Sequence, residues 1–127
     1  MKSIKQSYKI KAPIARVWQA LVNPNIIAEW SGSPAQMDDK EGTEFKLWGN
    51  EIYGKNTKII PEKLLEQDWS DSSFAEPSFV RLELSEQDSI TTINLVQDNL
   101  ADDRVDDISD GWRVYYLGPL KEFVEKI

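Results

Sequence analysis

The chemistry open to this chain is narrowed first by two absences, since its 127 residues include neither cysteine nor histidine. Without cysteine there is no thiol nucleophile, no disulfide and no zinc–thiolate site. Without histidine the commonest general base and metal ligand is missing, and no serine or threonine has its usual activator. Glu66 and Asp68 share one face of a strand, but two acids spaced this way on a wet face are ordinarily only solvated. Lys46, Lys55 and Lys58 could act as bases only if buried, and each sits among charged neighbours. The acidic run Asp102, Asp103, Asp106, Asp107 and Asp110 invites a calcium reading. Counted as a calcium loop from Asp106, it puts Ile108 where an acid or amide is needed and Leu117 where the bidentate glutamate belongs. Carboxylates before and within the first turn of a helix, favouring its positive end, account for the run better. No catalytic residue, no metal ligand and no cofactor is therefore expected.

What remains is a set of rings. Five tryptophans are many for this length, and Trp30, Phe45, Trp48, Trp69, Phe79, Trp112, Tyr115, Tyr116 and Phe123 could fill a core or line a pocket. Tyrosine and tryptophan each carry a polar handle that a dry core must satisfy, which suits a pocket with a few convergent polar groups. Gln67, Asn94 and Arg81 are candidate partners, although strand phase places Asn94 and Arg81 outside.

The elements that must position these rings follow from periodicity. Ser3 to Lys11 alternates, with Ile4, Tyr8 and Ile10 on one face and lysines on the other, as a half-wet strand does. Ala12-Pro13 then opens a short helix with Ile14, Val17, Trp18 and Leu21 in one stripe. Asn23-Pro24 ends it and starts a second short helix bearing Ile26, Ile27 and Trp30, closed by Ser31-Gly32-Ser33-Pro34. A meander follows: a short strand at Ala35 to Met37, then Thr43–Trp48, Ile52–Ile60, Glu62–Trp69, Val80–Leu84 and Ser89–Gln97. Ser70 to Pro77 is a loop, and Gly54 marks a bend or a close approach inside its strand. The last stretch, Asp110 to Ile127, places Trp112, Tyr116, Leu120 and Phe123 in a helical stripe. Gly118-Pro119 interrupts that stripe, and a proline there removes a hydrogen bond and clashes with the carbonyl of Tyr115, so a bend is expected. The fold class is α+β: about seven antiparallel strands forming a curved sheet, with the C-terminal helix over its concave face.

Residues 1–127 are expected to form one domain. The net charge of −7 argues against a nucleic-acid partner. The start MKSIKQSYKI has no apolar run for a signal peptide and no window is long enough for membrane insertion, so a cytoplasmic location is expected.

Several residues recur in the order of a known family: Ala12-Pro13 with Val17-Trp18 and Ala20-Leu21, Pro24, Trp30, Gly42, Phe45 and Trp48-Gly49. Ile52, Gly54, Pro61, Trp69, Thr92, Gly111-Trp112, Tyr116-Leu117 and Leu120-Lys121 continue it nearly to the end of the chain. In this the sequence resembles the helix-grip (START/Bet-v-type, SRPBCC) superfamily, and within it the family named for the activator of the heat-shock chaperone ATPase. The resemblance implies a seven-stranded sheet gripping a long C-terminal helix across a hydrophobic cavity. The leading reading is a hydrophobic or amphipathic small molecule as partner in such a cavity, with Trp30, Phe45, Trp48, Trp69, Trp112 and Tyr116 as ligand-binding residues. A chaperone is the alternative partner, through a protein-interaction module, and an enzyme of cyclase or hydrolase type is a third reading. Co-chaperone members usually carry this domain attached to an N-terminal chaperone-binding domain, and none is expected within these 127 residues.

Overall fold

Alternation in the sequence becomes a sheet in the computed structural model, which describes residues 2–72, 74 and 76–126. Ser73 and Ala75 of the expected loop, and Ile127 of the expected helix, lie outside the described residues. The elements are β1 (Lys2–Ile10), α1 (Ile14–Val22), α2 (Pro24–Ser31), β2 (Glu44–Leu47), β3 (Ile52–Ile60), β4 (Leu64–Ser70), β5 (Ser78–Gln87) and β6 (Ile90–Leu100). A helical run then continues as α3 (Val105–Gly111), a π-helical turn (Trp112–Tyr116) and α4 (Leu117–Glu125). The sheet has six strands in the order β1-β6-β5-β4-β3-β2, every neighbouring pair antiparallel. The expected seventh strand is absent: Ala35 to Met37 makes one bridge, between Gln36 and Lys46, through two backbone hydrogen bonds of 2.9 and 3.0 Å. Pro34 on one side and the polar Asp38–Gly42 loop on the other leave too little chain for a ladder.

Along β5, Ser78, Val80, Leu82 and Leu84 are buried, and along β6 so are Thr91, Ile93, Leu95 and Gln97. These inward positions meet Val17, Trp18 and Leu21 of α1, Ile27 and Trp30 of α2, and the buried stripe Trp112, Tyr116, Leu117, Leu120 and Val124. Asn23 ends α1 and caps α2, its Oδ1 accepting from the backbone N–H of Asn25 (2.9 Å) and Ile26 (3.4 Å). The Trp30 indole donates to the Ala20 carbonyl at 2.9 Å, locking α2 onto α1.

The C-terminal helix begins at Val105, five residues before the expected start, and Asp106 and Asp107 occupy its first turn. Asp102, Asp103, Asp106 and Asp107 thus stand at the positive end of a helix dipole, while Asp110 lies a turn further on and pairs with Arg113 at 2.7 Å. Among the described residues no group of three His, Cys, Asp or Glu could hold a metal ion.

The interruption expected at Gly118-Pro119 takes the form of the π-turn just ahead of it. Pro119 has no N–H to offer the Tyr115 carbonyl, and the helix widens by one residue: the Leu117 N–H bonds to the Trp112 carbonyl, five residues back. Gly118 is required because a Cβ there would lie 2.0 Å from the carbonyl oxygen of Arg113. Downstream of the turn Val124 rather than Phe123 closes the buried stripe, and Phe123 is half-buried.

Candidate functional site

The six rings assigned to a ligand site meet around Tyr116. Its ring centroid lies 4.6 Å from Trp112, 4.9 Å from Trp30, 5.9 Å from Trp48 and 6.0 Å from Trp69. Phe45 joins through Trp69 at 6.2 Å, and Trp69 stacks on Trp112 at 4.6 Å with an interplanar angle of 21°. Helix and sheet bring them together in alternation: Trp112 and Tyr116 descend from the π-turn, Phe45 and Trp69 rise from β2 and β4, and Trp30 enters from α2.

Trp48 arrives by a different route. Strand phase alone points it away from Phe45 and Leu47. Instead Trp48, Gly49 and Asn50 all adopt positive φ (51°, 62° and 80°), and the Glu51 N–H closes the turn on the Trp48 carbonyl at 3.2 Å. A tryptophan in the left-handed region stores about 1–3 kcal/mol, and here the strained backbone turns the ring back over Tyr116. Gly54 on the neighbouring strand has no room for a side chain, since a Cβ would sit 1.7 Å from the Asp68 carbonyl oxygen and 3.1 Å from the Phe45 ring.

Beneath the rings runs a row of buried side chains at one level of the sheet. Register aligns Ile4 with Gln97, Gln97 with Val80, Val80 with Gln67, and Gln67 with Asn56. The amides of that row hold the stacked indoles. Trp112 Nε1 donates to Gln97 Oε1 at 2.7 Å, and Trp69 Nε1 donates to Gln67 Oε1 at 2.8 Å. Gln67 Nε2 passes its own hydrogen to Asn56 Oδ1 at 2.8 Å, and Asn56 Nδ2 reaches Thr43 Oγ1 at 3.1 Å. Both tryptophans are thereby fixed in orientation as well as packed. Two polar groups are left over: Gln97 Nε2 and the Tyr116 hydroxyl are buried without a hydrogen-bond partner among the described residues. Burial pushes the Tyr116 phenol well above its ordinary range, so it stays protonated as a donor.

An open pocket of about 360 Å³ lies at one end of the ring cluster, on the α3 side of the π-turn. Trp69, Trp112 and Tyr116 form its floor, while Trp48, Ile108 and Tyr115 form its walls. Trp30 and Phe45 pack behind the floor and do not line it. Glu51, Asp71 and Arg104 also border the pocket, with Arg104 paired to Asp71 at 3.5 Å. Asn94 is exposed and Arg81 pairs with Glu66 and Glu83, so neither serves the rings. Sequence reasoning missed Gln97, Asn56 and Ile108. Inward alternation through Ile93 and Leu95 leads directly to Gln97, and that signal was available. Asn56 was hidden by a register shift between Asn56 and Lys58.

Six antiparallel strands gripping a C-terminal helix, with two short helices after the first strand and aromatic rings between, define a helix-grip domain of the SRPBCC superfamily. Residues 11–125 match the family described as activator of Hsp90 ATPase homolog 1-like protein, and the chain belongs to that family. It is similar to an uncharacterised protein of Schizosaccharomyces pombe, 23% identical over 120 residues, covering 93% of this chain and 36% of that protein. It is equally similar to the activator of 90 kDa heat shock protein ATPase homolog of Dictyostelium discoideum, 23% identical over 123 residues, covering 94% of this chain and 32% of that protein. The chain thus spans about a third of the length of these relatives. The crystal structure of an HSP90 activator from Plasmodium falciparum superposes with a TM-score of 0.87 at 20% identity, covering 97% of this chain and 96% of that one. No helix among the described residues is long and apolar enough to cross a membrane.

Proposed function

We propose that this chain binds an apolar or amphipathic small molecule in the pocket between the first half of its C-terminal helix and the β2–β3 turn. One observation carries the reading: a pocket of about 360 Å³ walled by aromatic rings, which lies within the size range of small-molecule sites. Binding here is burial without chemistry. Each square ångström of apolar ligand surface removed from water contributes about 25 cal/mol. The ligand meets a preformed floor, because Trp69 and Trp112 are already held by Gln67 and Gln97. The absence of cysteine accords with a cytoplasmic setting. The test is a titration with a neutral environment-sensitive dye, followed by dye and tryptophan emission, beside mass spectrometry of small molecules that copurify. Saturable binding that Ile108→Trp abolishes by filling the pocket is expected. No emission change and no copurifying molecule would refute the reading.

A second reading, a protein-interaction module for a chaperone, is favoured by one surface feature. Val114 (51% exposed) and Tyr115 (65% exposed) present apolar surface on the helix beside the pocket. Its test is the ATPase rate of a 90 kDa heat-shock chaperone with and without this chain. An unchanged rate and no co-sedimentation would set it aside.

A further inference from the structure

The charges around the pocket are unequal, and from this we infer that its occupant is a cation: an aromatic or apolar body carrying an ammonium-type head. The inference rests on the small-molecule reading above and names the ligand class. Two carboxylates, Glu51 and Asp71, line the pocket against one guanidinium, Arg104. Arg104 is engaged on two sides, by Asp71 at 3.5 Å and by the Phe74 ring 5.7 Å away. Glu51 is exposed, and no ion pair to it occurs among the described residues. It closes the same turn that holds Trp48 in its strained conformation, so the carboxylate and the ring are delivered to the pocket by one tight loop.

The remaining walls suit a cation equally well. Trp48 and Tyr115 stand at the solvent side, half-buried and 65% exposed, while Trp69 and Trp112 form the floor at 5% and 2% exposure. The negative face of an aromatic ring attracts a cation, and tryptophan does so most strongly. An apolar body on the indole floor with its cationic head at Glu51, Trp48 and Tyr115 matches apolar depth to an acidic, aromatic mouth. A carboxylate or phosphate head at that mouth would face Glu51 instead, with Arg104 already turned toward Asp71. The overall charge of −7 adds a field of the same sign.

Three probes with one naphthyl body separate the outcomes: naphthylmethyl-trimethylammonium, its neutral carbon isostere bearing a tert-butyl group, and the anion naphthylacetate. Affinities come from equilibrium dialysis against the full chain, and the site from shifts of the indole N–H resonances. The ammonium is expected to bind about tenfold more tightly than the neutral isostere, with naphthylacetate the weakest. Glu51→Gln should reduce that preference to about threefold, and raising the salt from about 0.02 M to about 0.5 M should narrow it further. If the neutral isostere or naphthylacetate binds as tightly as the ammonium, the pocket stands and the cation inference is overturned. If none of the three binds, the small-molecule reading itself fails.

Discussion

Replacing Trp112 by Phe removes the indole N–H while keeping an apolar ring on the floor of the pocket. Two costs follow from the structure. Gln97 Oε1, wholly buried, loses the 2.7 Å hydrogen bond it accepts, and a buried acceptor left unpaired costs about 1–3 kcal/mol. The smaller ring also leaves a gap beside Trp69 and Tyr116, which adds about 1 kcal/mol. The variant should therefore lose about 2–4 kcal/mol, a large share of the stability of a domain this size. Gln97→Met should behave differently. It strands the Trp112 N–H but also removes Gln97 Nε2, a buried donor that has no partner among the described residues, so the two effects offset. Its net change should stay within about 1 kcal/mol. With both substitutions neither position leaves a polar group stranded, and the double variant should be more stable than Trp112→Phe alone by about 1 kcal/mol or more. Urea unfolding followed by far-ultraviolet circular dichroism measures all four chains without relying on the tryptophan being changed. Additivity of the single costs to within about 0.5 kcal/mol would refute the claim that this hydrogen bond holds the floor.

Three further outcomes are expected. Tyr116→Phe deletes a buried hydroxyl with no partner while keeping the ring contacts, so it should be neutral or stabilise by about 1 kcal/mol in urea unfolding; a loss above that would reveal a bond the geometry does not show. Gly54→Ala forces a methyl against the Asp68 carbonyl at 1.7 Å, and it should cost about 3 kcal/mol or prevent folding, which thermal melts of the soluble fraction would detect. Glu125 is held below its ordinary pKa, first by the Lys11 backbone N–H at 2.8 Å and then by Lys121 at 2.8 Å. A carboxylate with a depressed folded-state pKa contributes stability above its unfolded pKa and loses it as pH falls through the folded value. Glu125→Gln should therefore lower the urea midpoint at about pH 7, the difference shrinking as the pH falls below the ordinary glutamate range, and a difference that stays constant into strong acid would exclude Glu125 as the source.

Strand phase carried most of the fold because one face of each strand is apolar and the other charged. Val80, Leu82 and Leu84 against Arg81 and Glu83 leave only one way to face the sheet. Where that contrast fails, the sequence is silent. In β3 the buried residues are Asn56 and Ile59, out of step by one because the register shifts between Asn56 and Lys58. Ala35 to Met37 alternates well enough to suggest a strand, but pairing depends on length of chain rather than pattern, and one bridge is all that forms. Five of the six rings meet between sheet and helix because large aromatic side chains on inward positions pack against one another there. Trp48 shows the limit of that logic, since its position is decided by positive backbone dihedrals that tryptophan rarely adopts. Proline in the last helix foretold an interruption, but not that one surplus residue would absorb it.

The stacked pair Trp69 and Trp112 has an optical consequence. Two indoles 4.6 Å apart, inclined by 21° and pinned through their N–H groups, cannot absorb light independently. Their excited states mix, and the pair should produce a couplet of opposite-signed bands in the circular dichroism of the native chain. Loss of either ring would erase both bands together. A molecule lying on the floor of the pocket would change the splitting or sign balance of that couplet. The chain therefore carries a label-free spectroscopic reporter of its own occupancy.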